Sequence, residues 1–128
     1  MPPINNETGK GGTLSPEDFE LLTGMVATSG AKLLATKVAK ICLKKASVLQ
    51  HEYARSAIAA GYSGVATKLT GVVGTGNRAI SRDAFNSLTS MVASYGPEVV
   101  IQKLAKIAKR NNNLADATML KGIFPKAA

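Results

Sequence analysis

Apolar residues along this chain recur at helical spacing and rarely alternate. Phe19, Leu22, Met25 and Val26 form one stripe of three-and-four steps, and Phe85, Leu88, Met91 and Val92 form another. Leu34, Val38 and Ile41 share one wheel face, as do Val100, Leu104 and Ile107. No run of alternating apolar and polar positions supports a sheet, so the pattern predicts an all-α fold. Met25 and Met91 belong to these stripes and are read as core.

Start and stop signals place the helices. Ser15 is an N-cap, Pro16 stands at the first helical position, and Glu17 and Asp18 suit the positive helix end. Leu14 with Phe19, and Ile80 with Phe85, flank the caps Ser15 and Ser81 at hydrophobic-staple spacing. First helices are predicted over 16–28 and 82–94, ending at Gly30 and Gly96. Second helices follow over 31–46 and 97–110, the latter opened by Pro97. A third helix is predicted over 47–60, separate or continuous with the second. Its shorter counterpart, 114–121, follows Asn111, Asn112 and Asn113. Residues 61–79 contain five glycines and read as a linker.

These paired elements reflect paired sequence. Aligning 14–44 on 80–110 without a gap matches Ser15, Phe19, Leu22, Thr23, Met25, Val26, Ala27, Gly30, Lys37, Ala39, Lys40 and Ile41 with identical residues 66 positions later. A compositional bias would match alanines and lysines; it would not put Phe, Met and Gly in register. The expectation is an internal duplication of a helix-Gly-helix unit, each copy extended by a third helix. Two copies are too few for an open solenoid, so they should pack on each other as one pseudo-two-fold domain. The expected organisation is a flexible arm (1–13), a first repeat (14–60), the linker (61–79), a second repeat (80–121) and a tail (122–128).

Composition narrows the chemistry. Trp is absent and aromatic residues make up only 5%, so the core must be built from Ala, Val, Leu, Ile and Met, which suits close-packed helices. With one cysteine, Cys42, no internal disulfide can form. One histidine, His51, leaves too few ligands for a metal site, and Cys42 falls on the apolar side of its helix, away from nucleophilic work. The segment TGKGGT at 8–13 lacks the Ser or Thr a phosphate loop needs after its lysine, and GVVGTGN at 71–77 has the wrong spacing for a dinucleotide fingerprint. Glu17, Asp18 and Glu20 share a first turn and cap it. No enzyme activity, cofactor or metal is expected.

Charge carries the functional expectation. The net charge is +8, which favours anionic partners. Lys37, Lys40 and Lys44 fall within an arc of ~60° on the wheel, and Lys103, Lys106 and Arg110 occupy the matching places. No acid interrupts 32–45 or 103–110, although exposed helix faces commonly mix signs in i,i+4 pairs. These six residues are the expected phosphate contacts of a non-specific nucleic-acid binder, with DNA favoured over RNA, of the kind that packages a nucleoid or virion. Gln102 is the one residue there suited to reading base edges, and the tyrosines and phenylalanines are too scattered for a stacking platform. The alternative is a structural subunit of a virion or filament, whose helix faces self-associate and whose lysines meet acidic protein neighbours. A homo-oligomer is expected in either case. The chain has no run of 18 apolar residues and no apolar signal segment at its start, so membrane insertion and signal-directed secretion are not expected, and the compartment is read as cytoplasm, nucleoid or virion.

Overall fold

A computed structural model describes residues 14–52, 57–76 and 78–124. Among them are six α-helices and no strand: α1 (Pro16–Ser29), α2 (Ala31–Glu52), α3 (Ala57–Val73), α4 (Arg82–Tyr95), α5 (Pro97–Arg110) and α6 (Leu114–Ile123). The expected arm (1–13) and residues 125–128 of the expected tail lie outside the described residues.

Local devices set the helix ends. The Ser15 hydroxyl accepts from the Asp18 N–H at 3.1 Å, and the Ser81 hydroxyl accepts from the Ala84 N–H at the same distance. Each such cap contributes about 1 kcal/mol. At the other end, the Gly30 N–H donates to the Val26 carbonyl at 2.8 Å and the Gly96 N–H to that of Val92 at 2.9 Å. Their backbones are nearly superimposable, with φ 90° and ψ 147° at Gly30 and φ 91° and ψ 149° at Gly96. That region is all but closed to side-chain-bearing residues, so glycine is required for the chain to turn from one helix straight into the next.

Of the alternatives for the helix over 47–60, the described residues follow the continuous one as far as Glu52, α2 running on through that residue, and α3 begins at Ala57. The stretch expected to be a linker, 61–79, is helical as far as Val73. Gly61, Gly64 and Gly71 each weaken this helix by about 1 kcal/mol relative to Ala. The compensation is tertiary. Ala59, Ala66, Leu69 and Val73 make a buried helical stripe, and small side chains let α3 lie close along α2.

Helices α2 and α5 form the centre. Each touches the other and both cap-bearing helices, α1 and α4, while α3 covers α2 and α6 covers α5. Leu34, Val38 and Ile41 of α2 are buried with Val100, Leu104 and Ile107 of α5, and Leu22 and Leu88 are buried beneath α1 and α4. The staple rings Phe19 and Phe85 are only partly buried against this core. One polar tie joins the ends of α1 and α4: the Tyr95 hydroxyl donates to Asp18 Oδ2 at 2.7 Å and accepts from the Ser15 N–H at 3.3 Å.

Candidate nucleic-acid interface

The expected basic stripes do not both face water. Lys40 and Lys44 are exposed on α2, Lys106 and Arg110 are exposed on α5, and Lys103 is half-buried. Lys37 is only 6% exposed, so it cannot serve as a phosphate contact here. Next to it, Thr36 is buried as well, and the chain leaving α3 lies against Thr36 and Leu33 at Gly76, where there is no room for a Cβ. Lys106 and Arg110 are drawn together over the ring of Phe19, with Lys106 Nζ at 6.0 Å and the Arg110 guanidinium carbon at 5.7 Å from its centroid. Cation–π contacts of this exposed kind contribute about 0.5–1 kcal/mol and leave the charge available to an anion.

A denser cluster forms between α5 and α6. After Arg110 the chain reverses through Asn111, Asn112 and Asn113, with Asn112 at φ 63°. Asparagine tolerates this left-handed conformation better than most residues. The Asn113 N–H donates to the Ala108 carbonyl at 2.8 Å, and the Asn113 side chain caps α6 by accepting from the Asp116 N–H at 3.2 Å. This turn lays α6 back on α5, burying Ala117, Leu120 and Ile123 and closing on Phe124.

The two helices then enclose an open groove. Lys103, Lys106, Lys109 and Lys121 line it over Leu114, Ala117 and Phe124, and among the described residues no acidic side chain does. Lys68, from α3, places its Nζ 5.3 Å from the centre of the Phe124 ring and brings a fifth cation to the same end. The focused positive field of such a groove attracts anions. Its chemistry is that of point charges: ammonium groups donate hydrogen bonds, accept none, and impose no planar fork on a ligand. Gln102 Nε2 donates to the Phe124 carbonyl at 3.4 Å, so the amide that could have read a base edge is engaged within the protein.

The groove thus gathers Lys103 and Lys106 of the expected set, joins to them Lys109 and Lys121, which were not expected, and does not include Lys37, Lys40, Lys44 or Arg110. Lys109 was within reach of sequence reasoning, since it follows Lys106 by three residues on the same acid-free helix. Lys121 was not, because its place depends on how the Asn111–Asn113 turn docks α6.

The remaining chemical groups are quiet. Cys42 is fully buried, and that burial pushes its thiol up to about 11, with Lys45 pulling weakly the other way. His51 is exposed on α2. Among the described residues no three His, Cys, Asp or Glu side chains converge as metal ligands. None of the described helices is long and apolar enough to cross a membrane. Comparison with protein-family models, curated proteins and solved structures returns no match for the chain.

Proposed function

We propose that the protein is a non-enzymatic binder of nucleic acid, holding phosphates without regard to sequence through the groove between α5 and α6. The observation that carries this reading is the convergence of Lys103, Lys106, Lys109 and Lys121 on one groove. Lysine ammoniums neutralise backbone phosphates and release counterions, a contribution blind to base identity. The bond from Gln102 Nε2 to the Phe124 carbonyl holds the one amide lining the groove against the protein, which favours packaging over regulation. Duplex DNA is the favoured ligand, and a nucleoid or virion is the compartment this role implies.

The same reading takes 14–44 and 80–110 as two copies of one ancestral unit related by a pseudo-two-fold. Its supports are the register of identical residues, the twin serine caps, the matched backbone at Gly30 and Gly96, and the Thr23 and Thr89 hydroxyls. These two each donate to the carbonyl four residues earlier, Phe19 or Phe85, at 2.8 Å.

Fluorescence anisotropy with nuclease-treated protein tests the function. Two unrelated DNA duplexes of equal length should bind with equal affinity, and an RNA duplex more weakly. The double variant Lys109→Gln/Lys121→Gln, both exposed positions, should bind all of them several-fold less tightly with unchanged helicity. Wild-type affinity in that variant would overturn the assignment of the groove.

A further inference from the structure

On the side of the molecule built from α1 and α4 the charge pattern reverses. These helices border an open groove rimmed by Glu17, Glu20 and Asp83, with Leu21 and Met25 supplying apolar surface and, among the described residues, no basic side chain lining it. Leu21 is 45% exposed, an apolar side chain that the protein itself leaves uncovered. Gly24 also lines the groove, and a Cβ added there would meet nothing within 4 Å. A glycine inside a helix costs about 1 kcal/mol relative to alanine. It leaves a flat place on α1 where another backbone can approach closely.

The complementary shape lies on α2 beyond the part that the α3–α4 connection covers. Lys40, Leu43, Lys44, Val48 and His51 are all exposed. On a wheel they fall within ~140°, in the i, i+3, i+4 pattern by which a helix seats in a groove. Leu43 and Val48 are 52% and 50% exposed, and Lys40 and Lys44 stand between them on the wheel. The ridge is apolar and basic; the groove is apolar and acidic. Pairing two ridges would set lysine against lysine, whereas seating a ridge in a groove matches opposite charges and covers apolar surface on both sides.

We propose that the occupant of the α1–α4 groove is the α2 ridge of a second copy of this chain. Donor and acceptor are different patches, so the contact closes into a ring, of two reciprocally paired copies or more, or grows into a filament. The α5–α6 groove takes no part in it, so this inference stands apart from nucleic-acid binding. The ion pairs at the rim make the association weaken as salt rises.

The test uses full-length, nuclease-treated protein and sedimentation velocity over a hundredfold range of concentration. The wild type should move from monomer to larger species, and 0.5 M salt should reverse this. Lys40→Glu/Lys44→Glu removes the ridge and keeps the groove; Gly24→Leu fills the groove and keeps the ridge. Each variant alone should stay monomeric with wild-type helicity, and an equimolar mixture should give a 1:1 dimer and nothing larger. Three results would each overturn the proposal: a wild type that stays monomeric throughout, variants that assemble as the wild type does, or a mixture of the two variants that stays monomeric. Loss of duplex binding in Lys109→Gln/Lys121→Gln alongside a monomeric wild type would leave the proposed function standing and remove only this contact.

Discussion

The α2–α3 pair and the α5–α6 pair begin from closely similar sequence and end as different surfaces. Both second helices follow a glycine at φ near 90°, and both bury their apolar stripe in the shared centre. After that they part. Helix α2 runs to Glu52 under a glycine- and alanine-rich partner, and its matched lysine, Lys37, is buried. Helix α5 stops at Arg110, its partner arrives through three asparagines, and the matched Lys103 becomes the wall of a basic groove. A lysine's angle on the helical wheel therefore says which way it leaves the helix and nothing about what lies across from it.

The sharpest way to break the comparison is to remove one fully buried leucine from each of the two central helices. Leu34 and Leu104 are both fully buried. Leu34→Ala and Leu104→Ala should each destabilise by about 2–5 kcal/mol in urea unfolding, since each leaves a cavity in the shared centre. If one costs less than about 1 kcal/mol, far below that range, the two central helices do not contribute equally.

The glycine hinges should respond alike and somewhat less. Gly30→Ala and Gly96→Ala each force a Cβ into a backbone region that L-residues avoid, at a cost of about 1–3 kcal/mol. Neither added methyl would meet a neighbour within 4 Å, so strain alone supplies the loss. Unequal costs would show that the two turns relax differently despite their matched angles.

The staple rings should separate the halves. Both are half-buried, so truncation to alanine should cost about 2 kcal/mol, below the 3–5 kcal/mol of a fully buried ring. Phe19→Ala should cost more than Phe85→Ala by about 0.5–1 kcal/mol, because Lys106 and Arg110 stack on Phe19. Equal losses would argue that these contacts add nothing beyond area.

Cys42 has no effect at neutral pH, acts only above pH 9, and reports on the α2 side alone. Its folded thiol titrates near 11, above the ordinary 9.0, because burial disfavours the thiolate. The stability held by the neutral thiol is therefore complete below pH 9 and is lost as pH rises from there towards 11. At neutral pH, alkylation should proceed only through opening of the fold. Rapid modification of the native protein would mean that α2 opens locally.

How much of this was legible in the sequence follows from the range of the forces involved. Ser15, Gly30, Ser81 and Gly96 act on the few residues beside them, so the ends of α1, α4 and α5 could be read locally to within a residue. Helix α3 could not, because three glycines weaken it and only the contact of Ala59, Ala66 and Leu69 with the rest of the fold restores it. The candidate groove was half legible. Lys103 and Lys106 stood out on an acid-free helix, but Lys121 joins them across a turn whose geometry depends on Asn112 at φ 63°. The burial of Lys37 was the hardest to foresee, since burial on α2 depends on elements distant in sequence that pack around it, such as α3 and α5.

The salt dependence of duplex binding tests the central claim most directly. If Lys103, Lys106, Lys109 and Lys121 each neutralise one phosphate, log affinity against log salt should fall with a slope of about −3.6 for B-form DNA. Lys109→Gln/Lys121→Gln should bring that slope to about −1.8, whereas Lys40→Gln/Lys44→Gln, on the other half of the molecule, should leave it unchanged. A wild-type slope near zero, or a slope moved by the α2 pair and not by the groove pair, would contradict the account.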